Sequence, residues 1–181
     1  MDRYVDLVTR TSFRILCDYS DSEYVTRVVF EIFKRKVNED GLGMKPSLWF
    51  LEQTVRVARK RFRHNRFMNF FGRRPELYVQ TAPKVDDVDD YITTQAWEIY
   101  CRTSEELTVD QRIVYVLMEL EGLSEEDVMQ ITGFWRGTVR LALEIARAGI
   151  RYELSKFGRV ADYEAYVGFL RRVHYIRGSK T

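Results

Sequence analysis

Apolar positions along this chain recur at helical rather than strand spacing. Tyr4, Leu7, Val8, Ile15 and Leu16 keep close enough to the 3.6-residue period to predict one packed helix over residues 3 to 19. Ser20 to Ser22 then offer N-cap side chains to a second helix, in which Val25, Val29, Ile32 and Phe33 make the apolar stripe. Lys34, Arg35 and Lys36 suit the negative end of its dipole, so this helix is expected to stop near Lys36. The stretch VNEDGLGMKPS gathers Asn, Asp, two glycines and a proline and reads as an exposed loop, with a third helix starting near Ser47. There Leu51, Val55, Ala58 and Phe62 fall at core spacing, while Arg56, Arg59, Lys60, Arg63 and Arg66 project to another side.

The second half of the chain is punctuated more sharply. Thr108 to Gln111 has the capping-box pattern, followed by the buried face Ile113, Val114, Leu117 and Leu120, and Gly122 supplies a left-handed stop. Ser124 opens a short helix through Val128 and Ile131 that Gly133 ends about two turns later. A two-turn helix closed by glycine ahead of another helix suggests a helix-turn-helix. The following helix, from about Arg136 to Leu154, sets Val139, Leu143, Ala146 and Ile150 on one face and Arg136, Arg140, Glu144, Arg147 and Arg151 on another. In such motifs the N-terminal residues of the second helix reach base edges in the major groove, which points to Arg136, Thr138 and Arg140; Glu144 suits a cytosine amino group. An ordinary three-helix bundle with charged outer positions would show the same spacing.

Composition sharpens this picture. Only 3 prolines and 10 glycines occur in 181 residues, too few turn signals for a sheet, and 45% hydrophobic content supports globular packing. The expected fold is all-α. The net charge of +2 conceals a sorting of charge along the chain. From Thr54 to Pro75 there are Arg56, Arg59, Lys60, Arg61, Arg63, Arg66, Arg73 and Arg74 and no acid, a candidate phosphate-facing surface. Phe67, Phe70 and Phe71 lie in the same zone, where aromatics between cations can stack unpaired bases; as a helix-end apolar cap they would be equally ordinary. Asp86, Asp87, Asp89 and Asp90 form an opposite block and read as a linker, with Asp89 and Asp90 also placed to favour the N-terminus of a helix containing Ile92, Ala96 and Ile99.

Other chemistry is sparse. Cys17 and Cys101 are far apart in sequence and read as packing residues of a reducing, cytoplasmic compartment. No apolar run approaches the roughly 20 residues of a membrane span, and the N-terminus lacks a signal-peptide core, so no membrane insertion is expected. His64 and His174 have no His or Cys at ligand spacing, no glycine-rich phosphate loop occurs, and no nucleophile sits beside a recognisable base. The expectation is a non-enzyme with no catalytic residues, no metal and no cofactor.

Residues 107 to 154 closely resemble the fourth conserved region of the extracytoplasmic-function sigma factors. The resemblance rests on Leu107, Arg112, the Glu-Gly-Leu-Ser step at Glu121 to Ser124, Gly133, the Gly-Thr-Val at Gly137 to Val139, and Ala146 with Arg147. A weaker similarity to the family's second region runs through Asp21, Ser22 and Glu23, Phe30, Trp49 and Arg63. It implies a first domain over residues 1–72 for the polymerase clamp and the minus-ten element, a linker over 73–90, and a helix-turn-helix domain over 91–154 for the minus-thirty-five element. A helical extension would follow over 155–181. The implied partners are core RNA polymerase, promoter DNA and an anti-sigma factor or other regulatory protein.

On this resemblance Glu23, Tyr24, Arg27 and Phe30 face polymerase, and the loop from Asn38 to Pro46 cradles a flipped base. DNA is met by Arg56, Arg59, Lys60, Arg63 and Arg66 in the first domain and by Trp135, Arg136, Thr138, Arg140, Glu144 and Arg147 in the second. The acidic linker would thread a basic channel of polymerase. Tyr24, Arg27 and Arg56 replace the family's usual acid, Gln and Asn, and Trp135 replaces its usual Ser cap. Leu141, Ala142 and Ile145 stand where polar residues are common and make a third, apolar face. The alternative function is a helix-turn-helix regulator or sigma-like decoy that does not support initiation.

Residues 155 to 181 add one more stripe, Tyr163, Tyr166, Val167, Leu170 and Val173. A helix reversing near Gly158 is expected to lay it against Leu141, Ile145, Ala148 and Tyr152. The tail's Arg171, Arg172, Arg177 and Lys180 would then add phosphate contacts, or the tail would cover the groove helix; the alternative is that the stripe docks a separate regulator.

Overall fold

A computed structural model of the chain describes residues 2–37, 45–70, 88–156 and 162–172. The expected all-α class is what these residues form, with no strand among them. Helix α1 (Asp2–Leu16), α2 (Tyr19–Val37) and α3 (Pro46–Phe70) pack on one another around Val8, Ile15, Val25, Val29, Phe50, Leu51, Val55 and Ala58, all buried. Tyr4, Phe30, Phe33 and Trp49 surround Phe50 as an aromatic cluster, with ring centroids 4.8–5.2 Å from Phe50 for Tyr4, Phe30, Phe33 and Trp49.

The boundary between α1 and α2 differs from the sequence expectation. Cys17 adopts a left-handed backbone, φ 52°, and its N–H bonds the Phe13 carbonyl at 2.8 Å, so α1 stops at Leu16 rather than near residue 19. The cap of α2 is then Asp18, whose carboxylate accepts the Asp21 N–H at 2.7 Å. Ser20 and Ser22 lie inside the helix, and the Ser22 hydroxyl donates to the Tyr19 carbonyl instead. A carboxylate at the first free position outcompetes the later hydroxyls for the open N–H groups. Helix α3 begins with Pro46 at its first turn, where a missing N–H is harmless.

Helix α4 (Val88–Glu106) leads to α5 (Val109–Tyr115), α6 (Glu125–Thr132) and α7 (Arg136–Ser155). Thr108 makes both bonds of the capping box, and α5 runs on through a π-helical segment, Val116–Leu120, before Gly122 turns the chain at φ 70°. Val139, Leu143, Ala146 and Ile150 of α7 are buried as the periodicity requires, and Ala142 joins them rather than the outer apolar face. Asp86, Asp87 and the loop residues 38–44 lie outside the described residues, and the side chains of Asp89 and Asp90 do too.

The tail forms α8 (Tyr163–Arg172), with Tyr166, Val167 and Leu170 buried, but on a different partner from the one expected. It packs on α4 and the π segment, while Leu141, Ile145 and Tyr152 stay 64%, 41% and 64% exposed. The reason is the need to satisfy polar groups. The Tyr166 hydroxyl donates to the Ala96 carbonyl at 3.1 Å, and Arg171 Nε donates to the Glu119 carbonyl at 2.7 Å at the open end of the π segment. The outer face of α7 offers neither acceptor, since its carbonyls are consumed within the helix.

One side chain joins these layers. Arg14 of α1 is 1% exposed; it donates to Glu121 at 2.8 Å, and its other amino group donates to the Leu170 and Arg171 carbonyls at 3.1 and 2.8 Å. A guanidinium thus caps the C-terminal end of α8 while neutralising the acid that follows the π segment. Arg10 and Thr11 bond the same Glu121.

Candidate nucleic-acid interface

The sequence places a capped two-turn helix ahead of α7, and the geometry follows. Ser124 accepts the Asp127 N–H at 3.1 Å to start α6, and Gly133 ends it in the left-handed region at φ 73°. Phe134 and Trp135 complete the turn, and Trp135 precedes α7 with extended backbone and no side-chain cap bond. Its ring is 84% exposed at the entrance to the helix. Gly137 and Thr138 are exposed beside it, so the first turn of α7 presents an open surface.

The cations of that turn already have intramolecular partners. Arg136 donates to Glu126 at 2.9 Å, and Arg140 makes a two-point pair with Glu125 at 2.9 and 3.1 Å. Both arginines remain more than half exposed, so these pairs are weak and exchangeable. Arg147 is held differently. It pairs with Glu119, a buried acid, and with Glu144 at 3.2 Å. Of the six residues singled out in this half, Trp135, Arg136, Thr138 and Arg140 cluster at one end of α7, whereas Glu144 and Arg147 engage each other farther along.

The basic face of α3 meets α6. Arg56, Arg59, Lys60 and Arg63 line an open cleft of about 540 Å³ whose other wall is Gln130, Ile131, Thr132 and Gly133. Arg59 crosses it to pair with Asp110 at 2.8 Å and lies 5.1 Å from the Phe134 ring centre. Arg61 is paired with Asp21 at 2.6 Å, so among the described residues of the acid-free run from Thr54 to Pro75, Arg59 and Arg61 have tertiary counterions. Arg56, Lys60, Arg63 and Arg66 are exposed and make no ion pair with another described residue. Phe67 is 61% exposed beyond them; Phe71 lies outside the described residues, as does the Phe70 side chain.

The proposed polymerase residues sit on α2. Glu23, Tyr24 and Arg27 are exposed, with the Tyr24 ring flanked by Arg27 and Arg61 at 5.7 and 4.7 Å. Phe30 is half-buried in the aromatic cluster and so supports this face from beneath. Sequence reasoning missed Arg10, Arg14 and Glu121 as the junction between α1 and the later helices. The apolar run around Arg14 was a weak signal, because a cation next to Ile15 and Leu16 breaks the stripe. Among the described residues no cluster of three or more His, Cys, Asp or Glu is arranged to hold a metal, and no helix is long and apolar enough to cross a membrane.

No family model matches the sequence, and no curated protein matches it. Among solved structures, the chain is similar to the sigma factor RpoE in its complex with the anti-sigma factor NepR from Bartonella quintana. The TM-score is 0.64 with 18% identity, covering 87% of this chain and 94% of that one. The fold is therefore similar to that of a sigma factor, all-helical among the described residues.

Proposed function

We propose that this protein is a sigma factor, which binds core RNA polymerase and directs it to promoters without catalysing a reaction itself. The observation that carries this reading is the open first turn of α7, where Trp135, Arg136, Thr138 and Arg140 converge behind a glycine-capped α6, on a fold shared with a sigma factor. On this reading α7 enters the major groove of the minus-thirty-five element. Arg56, Lys60 and Arg63 of α3 hold the backbone of the minus-ten strand. Glu23, Tyr24 and Arg27, on Phe30, meet polymerase. The division is that of the sequence reading: residues 1–72, an acidic linker over 73–90, residues 91–154, and the extension 155–181. The α3 cations and the end of α6 share one open cleft, so the two surfaces lie on neighbouring elements. Transcription by purified core enzyme on a genomic promoter library, with and without the protein, tests it. Specific initiation is expected only with the protein.

A second reading is favoured by one set of contacts. Arg136 and Arg140 are spoken for by Glu125 and Glu126, and Leu141, Ile145 and Tyr152 leave an apolar face on the same helix. Both suit a sigma-like decoy that engages a regulatory protein rather than DNA, and the similar RpoE was solved with such a regulator, an anti-sigma factor. Binding to an anti-sigma protein with no initiation by core enzyme would select this reading.

A further inference from the structure

Helix α7 carries a second stripe besides the one it buries. Thr138, Leu141, Ile145, Ala148, Tyr152 and Ser155 are all exposed, and they follow one another at alternating intervals of three and four residues. That alternation is the seam of a helix pair, because a mean repeat of about 3.5 residues keeps one narrow stripe turned toward a partner helix. At about 100° per residue the seam lies opposite Val139, Leu143, Ala146 and Ile150, so it points straight away from the chain's own core. Helix α8 packs on α4 and the π segment and leaves it exposed.

The charges beside the seam say which partner fits it. One flank carries Glu144 and Arg151, both exposed; the other carries Ala142 and Gly149, which add little bulk. Let two copies of α7 lie antiparallel, with a two-fold axis between Ile145 and Ala148. Ile145 then meets the second copy's Ala148, and Leu141 meets the second copy's Tyr152. In the same register Glu144 stands against the second copy's Arg151, and the symmetry repeats the pair. Thr138 and the second copy's Ser155 close each end of the seam on hydroxyls. Lys156 comes level with the second copy's Trp135, an exposed ring that attracts a cation. A parallel pair would instead set Glu144 against Gly149 and Arg151 against Lys156, a like-charge contact. The present partners of both flanking charges are exchangeable: Glu144 makes a surface pair with Arg147 at 3.2 Å, and Arg151 rests 4.7 Å from the Tyr163 ring centre.

We propose that the outer face of α7 is a homodimerisation surface, on which a second copy of this chain lies antiparallel. Leu141–Tyr152 and Ile145–Ala148 contacts fill the seam, and two Glu144–Arg151 pairs fix its register. One helix face is a small interface, so the association is reversible and in the micromolar range. If the promoter reading holds, the dimer also withholds Thr138 and Glu144 from DNA. Self-association is measured without DNA, so the two readings stand or fall separately.

Sedimentation velocity of the full chain across micromolar concentrations is expected to show a monomer–dimer equilibrium. Leu141→Glu sets an acid in the seam and is expected to leave monomer throughout. Glu144→Arg and Arg151→Glu each place like charges across the seam, and each is expected to weaken the dimer about tenfold. An equimolar mixture of these two variants restores both pairs of opposite charge and is expected to recover the wild-type affinity. Recovery on mixing also separates a charge contact from misfolding, since an unfolded chain is not rescued by its complement; circular dichroism checks each variant alone. A wild-type chain that stays monomeric overturns the proposal and leaves the face to a regulatory protein. So does a dimer that persists in Leu141→Glu, or a pair of charge variants that stays as weak mixed as apart.

Discussion

Arg14 shows how much one residue can decide. Its side chain is 1% exposed and that of its partner Glu121 is 5% exposed, so neither charge has water to fall back on. Burial holds the Arg14 pKa below its ordinary value, with the Glu121 carboxylate opposing that shift. Removing one member of a buried pair strands the other, and Arg14→Ala is expected to lose about 3–5 kcal/mol of stability, read from the urea unfolding midpoint. Arg14→Lys should fall between, because an ammonium cannot reach Glu121 and the Leu170 and Arg171 carbonyls from a planar fork. Gly133 is a second residue with a defined cost. A Cβ there meets nothing within 4 Å, so Gly133→Ala pays only for the left-handed backbone, about 1–2 kcal/mol by thermal unfolding. The glycine was plain in the sequence; the role of Arg14 was not, since its acceptors come from α8 and from the turn after the π segment.

At the level of the element, α6 and α7 act as one unit whose charges are balanced internally. Arg140 is available to a nucleic acid only by leaving Glu125, and that pair is open to solvent. Arg140→Ala is expected to weaken promoter binding roughly tenfold or more if the residue reads a base, and less, with a shallower salt slope, if it touches phosphate. On the proposed reading Glu125→Gln should act in the opposite direction, because it frees Arg140 and removes a negative charge beside it. Electrophoretic mobility shifts at fixed ionic strength would measure both. Tighter binding by Arg140→Ala would contradict the assignment. The caps and the buried face of this unit were readable from Ser124, Gly133 and the periodicity after Arg136. The acid partners were not, as Glu125 and Arg140 are brought together only by the turn.

Across the whole molecule, the tail is a structural helix. Tyr166, Val167 and Leu170 are buried against α4 and the π segment, and burying a large apolar side chain contributes ~1.5–3 kcal/mol. Deleting residues 156–181 is therefore expected to lower the melting temperature clearly. It should not tighten DNA binding, since α8 lies away from the exposed start of α7. An unchanged melting temperature, or a marked gain in DNA affinity, would contradict this packing.

What the sequence determined by itself is what depends on neighbours in the chain. Helical periodicity, the capping box at Thr108, the serine cap at 124 and the glycine stops at 122 and 133 all act within a turn or two, and each is found where its residues stand. The amphipathic tail was legible in the same way, as a stripe that had to be buried. Only the tertiary structure decided which surface buries it. Hydrophobic stripes fit many partners, and the choice fell to polar groups that must find acceptors: Tyr166 at the Ala96 carbonyl, Arg171 at the Glu119 carbonyl, and Arg14 at the end of α8 itself. The same is true of the cations on α3, whose counterions Asp21 and Asp110 are distant in sequence. Local geometry is written in adjacent residues, but the pairing of buried charges and hydrogen bonds is settled only when distant elements meet.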